Sequence, residues 1–402
     1  MGQGDAHTSV STGLTQLVAA CDCYDGRLQH MKERYGSGIF ITKNYEEILS
    51  RKEIDAVIIG TPDHWHQRIT VDALNAKKDV YCEKPMVQRI DDGHAVIEAQ
   101  NRTKQILQIG SQRVSSVVYK KAQDLFRRGA LGKLNLVEAW WDRNSAVGAW
   151  EYTIPLDANT STCDWDRFQG RAPRTAWDPK RFFRWRCYKD YGTGVAGDLF
   201  VHLFSGLHFI TGALGPERVF ATGGLRFWND GRDVPDVLFG LYDYPETADH
   251  PAFNLVLRVN FVSGAQENSG FRFTGSDAIM TVGDDVTLTS PPPETEPGYT
   301  IGTFSKAGQQ AFLEHYREQY PKTKPSAANM RANRQEVYEP PTGYSDHFDH
   351  HLKFALAVRS REPVVEDAVF GFRAAGPALL SNLSFFESRI VEWDPNAMKV
   401  KT

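Results

Sequence analysis

Two short motifs carry most of the side chains that could take part in a reaction. The first is Glu83-Lys84-Pro85, and the second is a glycine-rich stretch that leads into Asp198 and His202. The last two residues are four positions apart, so on a helix they lie on one face. A lysine, a carboxylate and a histidine together can stabilise an alkoxide, orient a hydroxyl group and accept its proton. Each motif also has an ordinary structural explanation: a solvated lysine before a turn proline, or a capping aspartate with a core histidine.

The first motif ends a predicted βαβ unit that spans residues 55–85. The apolar run at 56–60 and the segment 79–82 are predicted strands, and residues 65–77 between them are a predicted helix. The turn Thr61-Pro62-Asp63-His64-Trp65-His66 follows the first strand, and Glu-Lys-Pro follows the second. Ligands of open α/β sheets lie beyond the carboxyl ends of the strands. Both turns are therefore expected to face a bound molecule.

With its motifs in this order, the sequence resembles the glucose–fructose oxidoreductase/inositol dehydrogenase/MocA family. Members of that family carry a T-P-x-x-x-H turn followed by E-K-P, and later a glycine-rich lead before an aspartate and a histidine four residues on. The resemblance extends over nearly the whole chain. It implies an α/β fold with a Rossmann dinucleotide-binding domain, followed by an α+β domain with a large, mostly antiparallel open sheet. It also implies that Lys84, Asp198 and His202 are catalytic residues in the cleft between the domains.

The cofactor implied by the resemblance is NAD, with NADP the less favoured choice. Asp22 ends a predicted strand at 17–22, where the fingerprint places a carboxylate that binds the adenosine ribose and repels a 2′-phosphate. Arg27 weakens that preference, and a turn or capping aspartate is the structural alternative for Asp22. The other predicted cofactor contacts lie at strand ends or in the glycine turn: Gly2, Thr61, Pro62, His64, His66, Glu83, Lys84 and Gln112.

The beginning of the chain departs from the Rossmann pattern. Such a domain opens with an apolar strand that runs into G-x-G-x-x-G, whereas this sequence begins Met1-Gly2-Gln3-Gly4-Asp5 and continues as a predicted helix. We interpret Gly2 as the last glycine of the turn and predict that the first strand is missing. Its loss would impair pyrophosphate binding. Any export signal would lie upstream as well, so the cytoplasm is the default expectation for localisation and export stays open.

The pattern of the sequence changes near residue 130, which divides the chain into two predicted domains. Residues 1–130 form the N-terminally incomplete Rossmann domain, and residues 131–402 form a substrate-binding and oligomerisation domain that includes the C-terminal helices. Strand-like runs between 134 and 288 predict its sheet. The proline-bearing segments 290–298 and 321–341 are predicted to be a surface loop and a long excursion or arm toward a partner subunit.

Aromatic and basic residues concentrate in the second predicted domain. Six of the nine tryptophans lie between residues 140 and 185, interspersed with arginines. Aromatic faces and guanidinium forks suit a polyhydroxylated or acidic ligand, although each tryptophan more commonly anchors a core or an interface. The predicted substrate contacts are Arg113, Arg184, Trp185, Asp198 and His202.

Composition excludes several classes of partner. The 402-residue chain has a net charge of -4, which gives no support to binding of nucleic acid or an anionic membrane. No apolar run approaches the roughly 18 residues of a membrane span.

The five cysteines lack C-x-x-C spacing and are predicted to be buried free thiols. His347, His350 and His351 lack zinc spacing, so no metal is predicted. The predicted partners are a small sugar or glycoside and further copies of the chain, as a dimer or tetramer.

The reaction predicted from these residues is NAD-dependent oxidation of a sugar or polyol hydroxyl group. In this hypothesis His202 takes the hydroxyl proton, Lys84 stabilises the alkoxide, and Asp198 orients the substrate or the lysine. One alternative is an NAD-dependent glycosidase that oxidises a sugar carbon transiently, eliminates the aglycone and returns the hydride. Another is a non-catalytic protein that senses a sugar or NAD. The incomplete glycine turn favours that last alternative, whereas the presence of all three polar residues argues against it.

Overall fold

A computed structural model describes residues 1–291, 300–320 and 334–401. The predicted loop at 290–298 lies almost entirely outside these ranges, and so does most of the predicted excursion at 321–341. No helix among the described residues is long and apolar enough to cross a membrane.

The N-terminal part alternates short strands with helices, as the βαβ pattern predicts. In chain order its elements are α1 (Gly2–Ser11), β1 (Ala19–Cys21), α2 (Asp25–Tyr35), β2 (Phe40–Thr42), α3 (Tyr45–Leu49), β3 (Ala56–Ile59), α4 (Asp63–Asn75), β4 (Asp79–Cys82), α5 (Gly93–Thr103), β5 (Leu107–Ile109) and α6 (Val117–Arg127). Parallel pairing joins β1 to β2, and separately joins β3, β4 and β5. Short 3₁₀ turns precede α5 and α6.

Helix α4 begins two residues earlier than the sequence predicts. Pro62 is its N-cap, with ψ 152°. Proline suits a helix start because it has no N–H group that would need a partner there. As a result Asp63, His64 and His66 lie in the first turn of α4 rather than partly in a preceding loop.

The second part contains a ten-stranded sheet, which confirms the predicted large and mostly antiparallel architecture. Its elements are β6 (Leu134–Asp142), α7 (Trp165–Gln169), α8 (Pro179–Phe183), α9 (Val201–Thr211), β7 (Arg218–Gly224), β8 (Val237–Tyr244), β9 (Phe253–Asn260), β10 (Asn268–Gly275), β11 (Ile279–Val282), β12 (Val286–Ser290), α10 (Lys306–Gln319), β13 (Arg334–Tyr338), α11 (Asp346–Ser360), α12 (Ala368–Glu387), β14 (Val391–Asp394) and β15 (Lys399–Val400). The strand order is β13-β12-β11-β10-β6-β9-β8-β7-β14-β15, and within this sheet, as far as the chain is described, only the β6–β9 pair is parallel. Buried residues alternate along β8 and β9, as expected of a sheet with one covered face.

The C-terminal helices connect the two parts. Phe354 and Ala357 of α11 pack with Tyr81 of β4 and with Ile106, which directly precedes β5. Arg361 forms a 2.6 Å ion pair with Asp79. Helix α12 packs against both α5 and β7. Helix α11 therefore packs on the N-terminal part, although it lies far beyond residue 130 along the chain.

All five cysteines are free, but not all are buried. Cys82, Cys163 and Cys187 are buried, Cys21 is exposed and Cys23 is half-buried. The prediction of buried thiols is thus wrong for Cys21. That residue ends β1, which pairs with only one neighbouring strand, so one side of it stays open to solvent.

Candidate active site

The structure brings Lys84 and Asp198 together as a buried ion pair. Lys84 Nζ lies 2.8 Å from Asp198 Oδ1 and also donates a hydrogen bond of 2.8 Å to the Asp198 carbonyl oxygen. The two side chains are only 6% and 12% exposed. Because an ammonium group has three N–H donors, one remains for a bound molecule. The pairing links the carboxyl end of β4 to the segment before α9.

Asp198 lies in a π-helical turn, Ala196–Phe200, that runs directly into α9. The sequence predicted a regular helix, but π turns occur frequently at functional sites because they displace side chains from the α-helical register. Gly197 is required here, since a Cβ atom would overlap the Thr193 side chain. The Thr193 hydroxyl donates a 2.6 Å hydrogen bond to the buried carboxylate of Asp63 at the start of α4. The glycine-rich stretch therefore fastens the Asp198 turn to the N-terminal part.

Arg186 is a site residue that the sequence analysis missed. Its Nε donates to Asp198 Oδ1 at 3.2 Å, the same oxygen that receives Lys84, and its guanidinium lies 4.2 Å from the Trp185 ring centroid. Burial on its own would raise the pKa of Asp198, but Lys84 and Arg186 together hold that pKa well below its usual range. The sequence offers no signal that separates Arg186 from Arg184, which occupies the same tryptophan- and arginine-rich region.

His202 is buried on α9 in an apolar and cationic environment. Its ring lies 5.2 Å from the Trp141 ring, and the Arg113 guanidinium covers that tryptophan at 4.9 Å. Burial and the charge of Lys84 lower the pKa of His202 well below its ordinary value. Its Nδ1 has no hydrogen-bond partner among the described residues. The imidazole is therefore neutral and able to accept a proton.

Arg184 and Trp185 occupy different positions around this centre. Arg184 pairs with the Glu151 carboxylate and donates a 2.9 Å hydrogen bond to the Tyr152 carbonyl oxygen. This holds the segment around residue 151 in place instead of directing Arg184 at Asp198. Trp185 stacks on Arg186 and is half-buried. Of the two predicted contacts, only Trp185 touches a residue bonded to Asp198.

The turn after β3 is tied through histidine side chains to the Glu-Lys-Pro motif and to the second part of the chain. His66 is within 2.7 Å of the Pro85 carbonyl oxygen and 2.9 Å of the Thr61 carbonyl oxygen, so it joins the two predicted ligand-facing turns. His64 Nε2 lies 2.8 Å from the Phe168 carbonyl oxygen in the second part. By contrast, the buried Thr61 hydroxyl has no partner among the described residues. The histidines therefore organise the turn, and Thr61 retains a free polar atom.

The remaining predicted cofactor residues lie near strand ends of the N-terminal part. Gly2 opens α1 and packs so closely on the end of β3 that a Cβ at Gly60 would come within 2.6 Å of its Cα. Asp22 directly follows β1, accepts a hydrogen bond of 2.9 Å from the Tyr24 N–H, and lies 3.4 Å from Arg27 Nη1. Its side chain is 29% exposed. The carboxylate thus makes a local turn and still has surface available to a ligand.

Glu83 and Gln112 face each other in the interior. Gln112 Nε2 donates to Glu83 Oε1 at 2.7 Å and to the Tyr81 hydroxyl at 3.0 Å. Burial, with the nearby charge of Asp5, raises the pKa of Glu83 to about 8. This network closes the strand ends of β4 and β5 beneath Lys84.

Replacing Glu83 with glutamine is expected to flatten the pH dependence of stability. The unfolded chain ionises Glu83 from about pH 4.5 upward, whereas the folded chain keeps the proton until about pH 8. The contribution of Glu83 to stability is therefore full at low pH and is lost as the pH rises through that window, by an amount on the order of a few kcal/mol. Thermal unfolding at several pH values should show the variant gaining on wild type from pH 5 to pH 8. The exposed Glu98→Gln variant is the control, and parallel curves for wild type and Glu83→Gln would contradict this expectation.

The three C-terminal histidines do not form a metal centre in the described part of the chain. His350 is buried and bonded to the Ser115 hydroxyl and the Ile109 carbonyl oxygen, both at 2.8 Å. His351 stacks on Tyr81 with a centroid distance of 4.4 Å. No group of three or more His, Cys, Asp or Glu side chains within the described ranges is arranged to hold a metal ion. These two histidines instead pack α11 on the N-terminal sheet.

Comparison with known proteins identifies the family that the N-terminal part resembles. Residues 3–111 match the model of an oxidoreductase family with an NAD-binding Rossmann fold. An inositol 2-dehydrogenase of Salmonella paratyphi B is 32% identical over 141 residues, which are 35% of this chain and 41% of that protein. An alpha-N-acetylgalactosaminidase of Shewanella oneidensis is 28% identical over 131 residues, 30% of this chain and 28% of that protein. The matched segments thus span less than half the length of these relatives.

Solved structures extend the similarity of fold to almost the whole chain. A levoglucosan dehydrogenase in complex with NADH and levoglucosan superposes with a TM-score of 0.66 over 97% of this chain and 96% of its own, at 15% sequence identity. At that identity the similarity concerns the fold. It confirms that a Rossmann domain is followed by the large open sheet.

Proposed function

We propose that the chain is an NAD-dependent dehydrogenase of the glucose–fructose oxidoreductase/inositol dehydrogenase/MocA family, whose model of the NAD-binding Rossmann fold matches residues 3–111. Its substrate is a sugar, glycoside or related polyol, of which it oxidises one hydroxyl group by hydride transfer. The observation that carries this proposal is the ion pair of Lys84 with Asp198, which extends from the end of β4 to the helix that holds His202.

The residues at the strand ends fit a dinucleotide. The close approach of Gly2 and Gly60 leaves backbone, rather than side chains, at the start of α1, where a helix N-terminus favours phosphate. The free hydroxyl of Thr61 and the partly exposed carboxylate of Asp22 are available for the cofactor's polar groups. When bound, NAD would accept the hydride.

The polar residues divide the remaining chemistry among them. The neutral imidazole of His202 accepts the hydroxyl proton of the substrate. The third N–H of Lys84 donates to the oxygen on which negative charge develops, because its other two donors already bind Asp198. Asp198 Oδ2 receives no hydrogen bond from the described residues and can orient a neighbouring substrate hydroxyl. Trp141, held under Arg113, shields His202 from water.

A survey of NAD reduction with polyols and sugars tests this proposal. The purified chain should produce NADH with at least one inositol, anhydrosugar or aldose, with stoichiometric oxidation of the substrate. Binding of NADH and a sugar without turnover of any of them would instead favour the non-catalytic sensor.

A glycosidase that uses NAD transiently is the second candidate, and the relative from Shewanella oneidensis favours keeping it. The same three residues would serve, since oxidation of a sugar carbon is the first step in that mechanism as well. Product analysis with aryl glycosides separates the two reactions. Release of the aglycone with no net change in NAD would establish glycosidase activity and refute net oxidation.

Asp22 is expected to set the preference for NAD over NADP. Its carboxylate would repel a 2′-phosphate, and in the Asp22→Asn variant Arg27 would be released from its 3.4 Å contact to bind that phosphate. We expect the ratio of NADPH to NADH affinity to rise by about tenfold or more, measured by calorimetry. Asp25→Asn, which breaks a 2.8 Å pair with Lys43, is the control. An unchanged ratio in Asp22→Asn would exclude this role.

We also propose that the protein assembles as a dimer or tetramer through the outer face of the ten-stranded sheet. Phe220, Phe239 and Leu241 on β7 and β8 are 39%, 44% and 52% exposed. Contiguous exposed apolar side chains on a sheet favour an interface. Sedimentation of the wild type and of a Phe239→Glu/Leu241→Glu variant tests this, since the variant should be smaller; a wild-type monomer would refute it.

A further inference from the structure

We propose that Arg186 makes this site selective for a substrate that carries a carboxylate, such as a sugar acid, over the corresponding neutral sugar or polyol. This inference rests on the proposed dehydrogenase function and specifies its substrate class. It arises from the charge balance around Asp198 and from the unused donors of Arg186.

Two cations share one carboxylate at the centre. Lys84 and Arg186 both bind the single carboxylate of Asp198, at 2.8 Å and 3.2 Å. His202, the neighbouring titratable group, is neutral. The other acids close to the pair are Asp63 and Glu83, and burial raises the pKa of both. A mostly buried centre in which two cations share Asp198 favours a ligand that supplies an anion.

The geometry of Arg186 matches a carboxylate in particular. Only its Nε is engaged, so both terminal nitrogens lack a hydrogen-bond acceptor among the described residues. The side chain retains 17% exposure, and stacking on Trp185 holds the plane of the guanidinium. A planar fork with two free N–H groups binds a carboxylate through two parallel hydrogen bonds. A hydroxyl group can satisfy only one of them and brings no charge.

The two arginines that precede Arg186 in this segment are already paired with other carboxylates. Arg184 already pairs with Glu151, and Arg181 pairs with Asp190 at 3.1 Å while stacking on Tyr188. Of Arg181, Arg184 and Arg186, only Arg186 has both terminal nitrogens without a hydrogen bond to the described residues. Arg186 Nε and the Lys84 ammonium bind the same oxygen of Asp198. A carboxylate bound by the outer nitrogens of Arg186 would therefore lie close to the Lys84 ammonium.

Binding of matched acid and neutral compounds tests the inference without requiring turnover. The pairs are D-gluconate with D-glucitol and D-glucuronate with D-glucose, titrated by calorimetry into the NADH-saturated protein at low ionic strength. We expect at least one acid to bind about tenfold or more tightly than its neutral partner. Arg186→Gln should abolish that difference, and Arg186→Lys should restore part of it. Arg181→Gln is the matched control and should preserve the difference.

Three results would overturn the inference. The first is binding of the neutral compounds to wild type as tightly as the acids. The second is an Arg186→Gln variant that binds acids and neutral compounds with equally weakened affinity, which would make the role of Arg186 purely structural. The third is a variant that loses affinity for NADH while keeping the preference for acids, which would assign the fork to a cofactor phosphate. Acid-selective binding in a protein that oxidises no sugar would refute the dehydrogenase proposal and leave the role of Arg186 intact.

Discussion

Replacing Lys84 with methionine is expected to lower kcat/KM by about two to three orders of magnitude, with NADH affinity nearly unchanged. Two of the three N–H donors of Lys84 bind Asp198. The third remains free to donate to the developing alkoxide. Methionine keeps much of the volume of the lysine stem, so packing around β4 should survive. Steady-state kinetics with the best substrate, together with NADH titration, measures both quantities.

Two further variants make the Lys84 result interpretable. Lys120→Met removes an exposed lysine, 55% accessible, and should leave turnover unchanged. The double variant Lys84→Met/Asp198→Asn also removes the ionic partner of Arg186, so it should be less stable than Lys84→Met, which keeps the 3.2 Å pair of Asp198 with Arg186. It should not regain activity. A Lys84→Met enzyme with wild-type kcat/KM would exclude Lys84 from the reaction.

Replacing His202 with asparagine is expected to lower kcat by about two to four orders of magnitude, since the general base is lost. The wild-type pH profile should also be informative. The base acts when neutral, and burial with the charge of Lys84 lowers the pKa of His202 well below the ordinary histidine value of 6.5. The rate should therefore show no loss through this group as the pH falls through that value.

His208 supplies the matched control for His202. It lies on the same helix, α9, is buried, and its Nε2 is 2.9 Å from the hydroxyl of Tyr244, a residue of β8. His208→Asn should therefore reduce thermal stability and leave kcat intact below its melting temperature. Equal loss of activity in both variants would mean that α9 packing, rather than a proton acceptor at residue 202, limits the rate.

The proposed roles of Lys84 and His202 depend on contacts between distant parts of the chain. His66 connects Thr61 to Pro85, and Thr193 connects Asp63 to the π turn of Asp198. Lys84 and Asp198 are thereby held together although 114 residues separate them. The two motifs are thus parts of one hydrogen-bonded framework, in which His66 and Thr193 would position the proposed reacting groups.

Local sequence patterns were sufficient to predict the βαβ unit and the open sheet, whereas the catalytic roles of Lys84, Asp198 and His202 come from the resemblance to a family and stay a prediction. Consecutive apolar residues in β3 and alternating ones in β8 and β9 reflect burial on two faces or one, and this information is local. Turn chemistry is local too, although the early start of α4 at Pro62 was not anticipated. The π turn was also beyond prediction, because it depends on how Thr193 and Asp63 meet across the molecule.

Charge balance and long-range packing, in contrast, were decided by the folded chain. Nothing in the composition of the segment around residue 185 distinguishes Arg184 from Arg186, yet one pairs with Glu151 and the other with Asp198. The same holds for α11, which lies between β13 and β14 of the ten-stranded sheet in sequence but packs against Tyr81 of β4. Such outcomes depend on which side chains meet in the folded chain, and the free energy of each pairing depends on the burial of both partners.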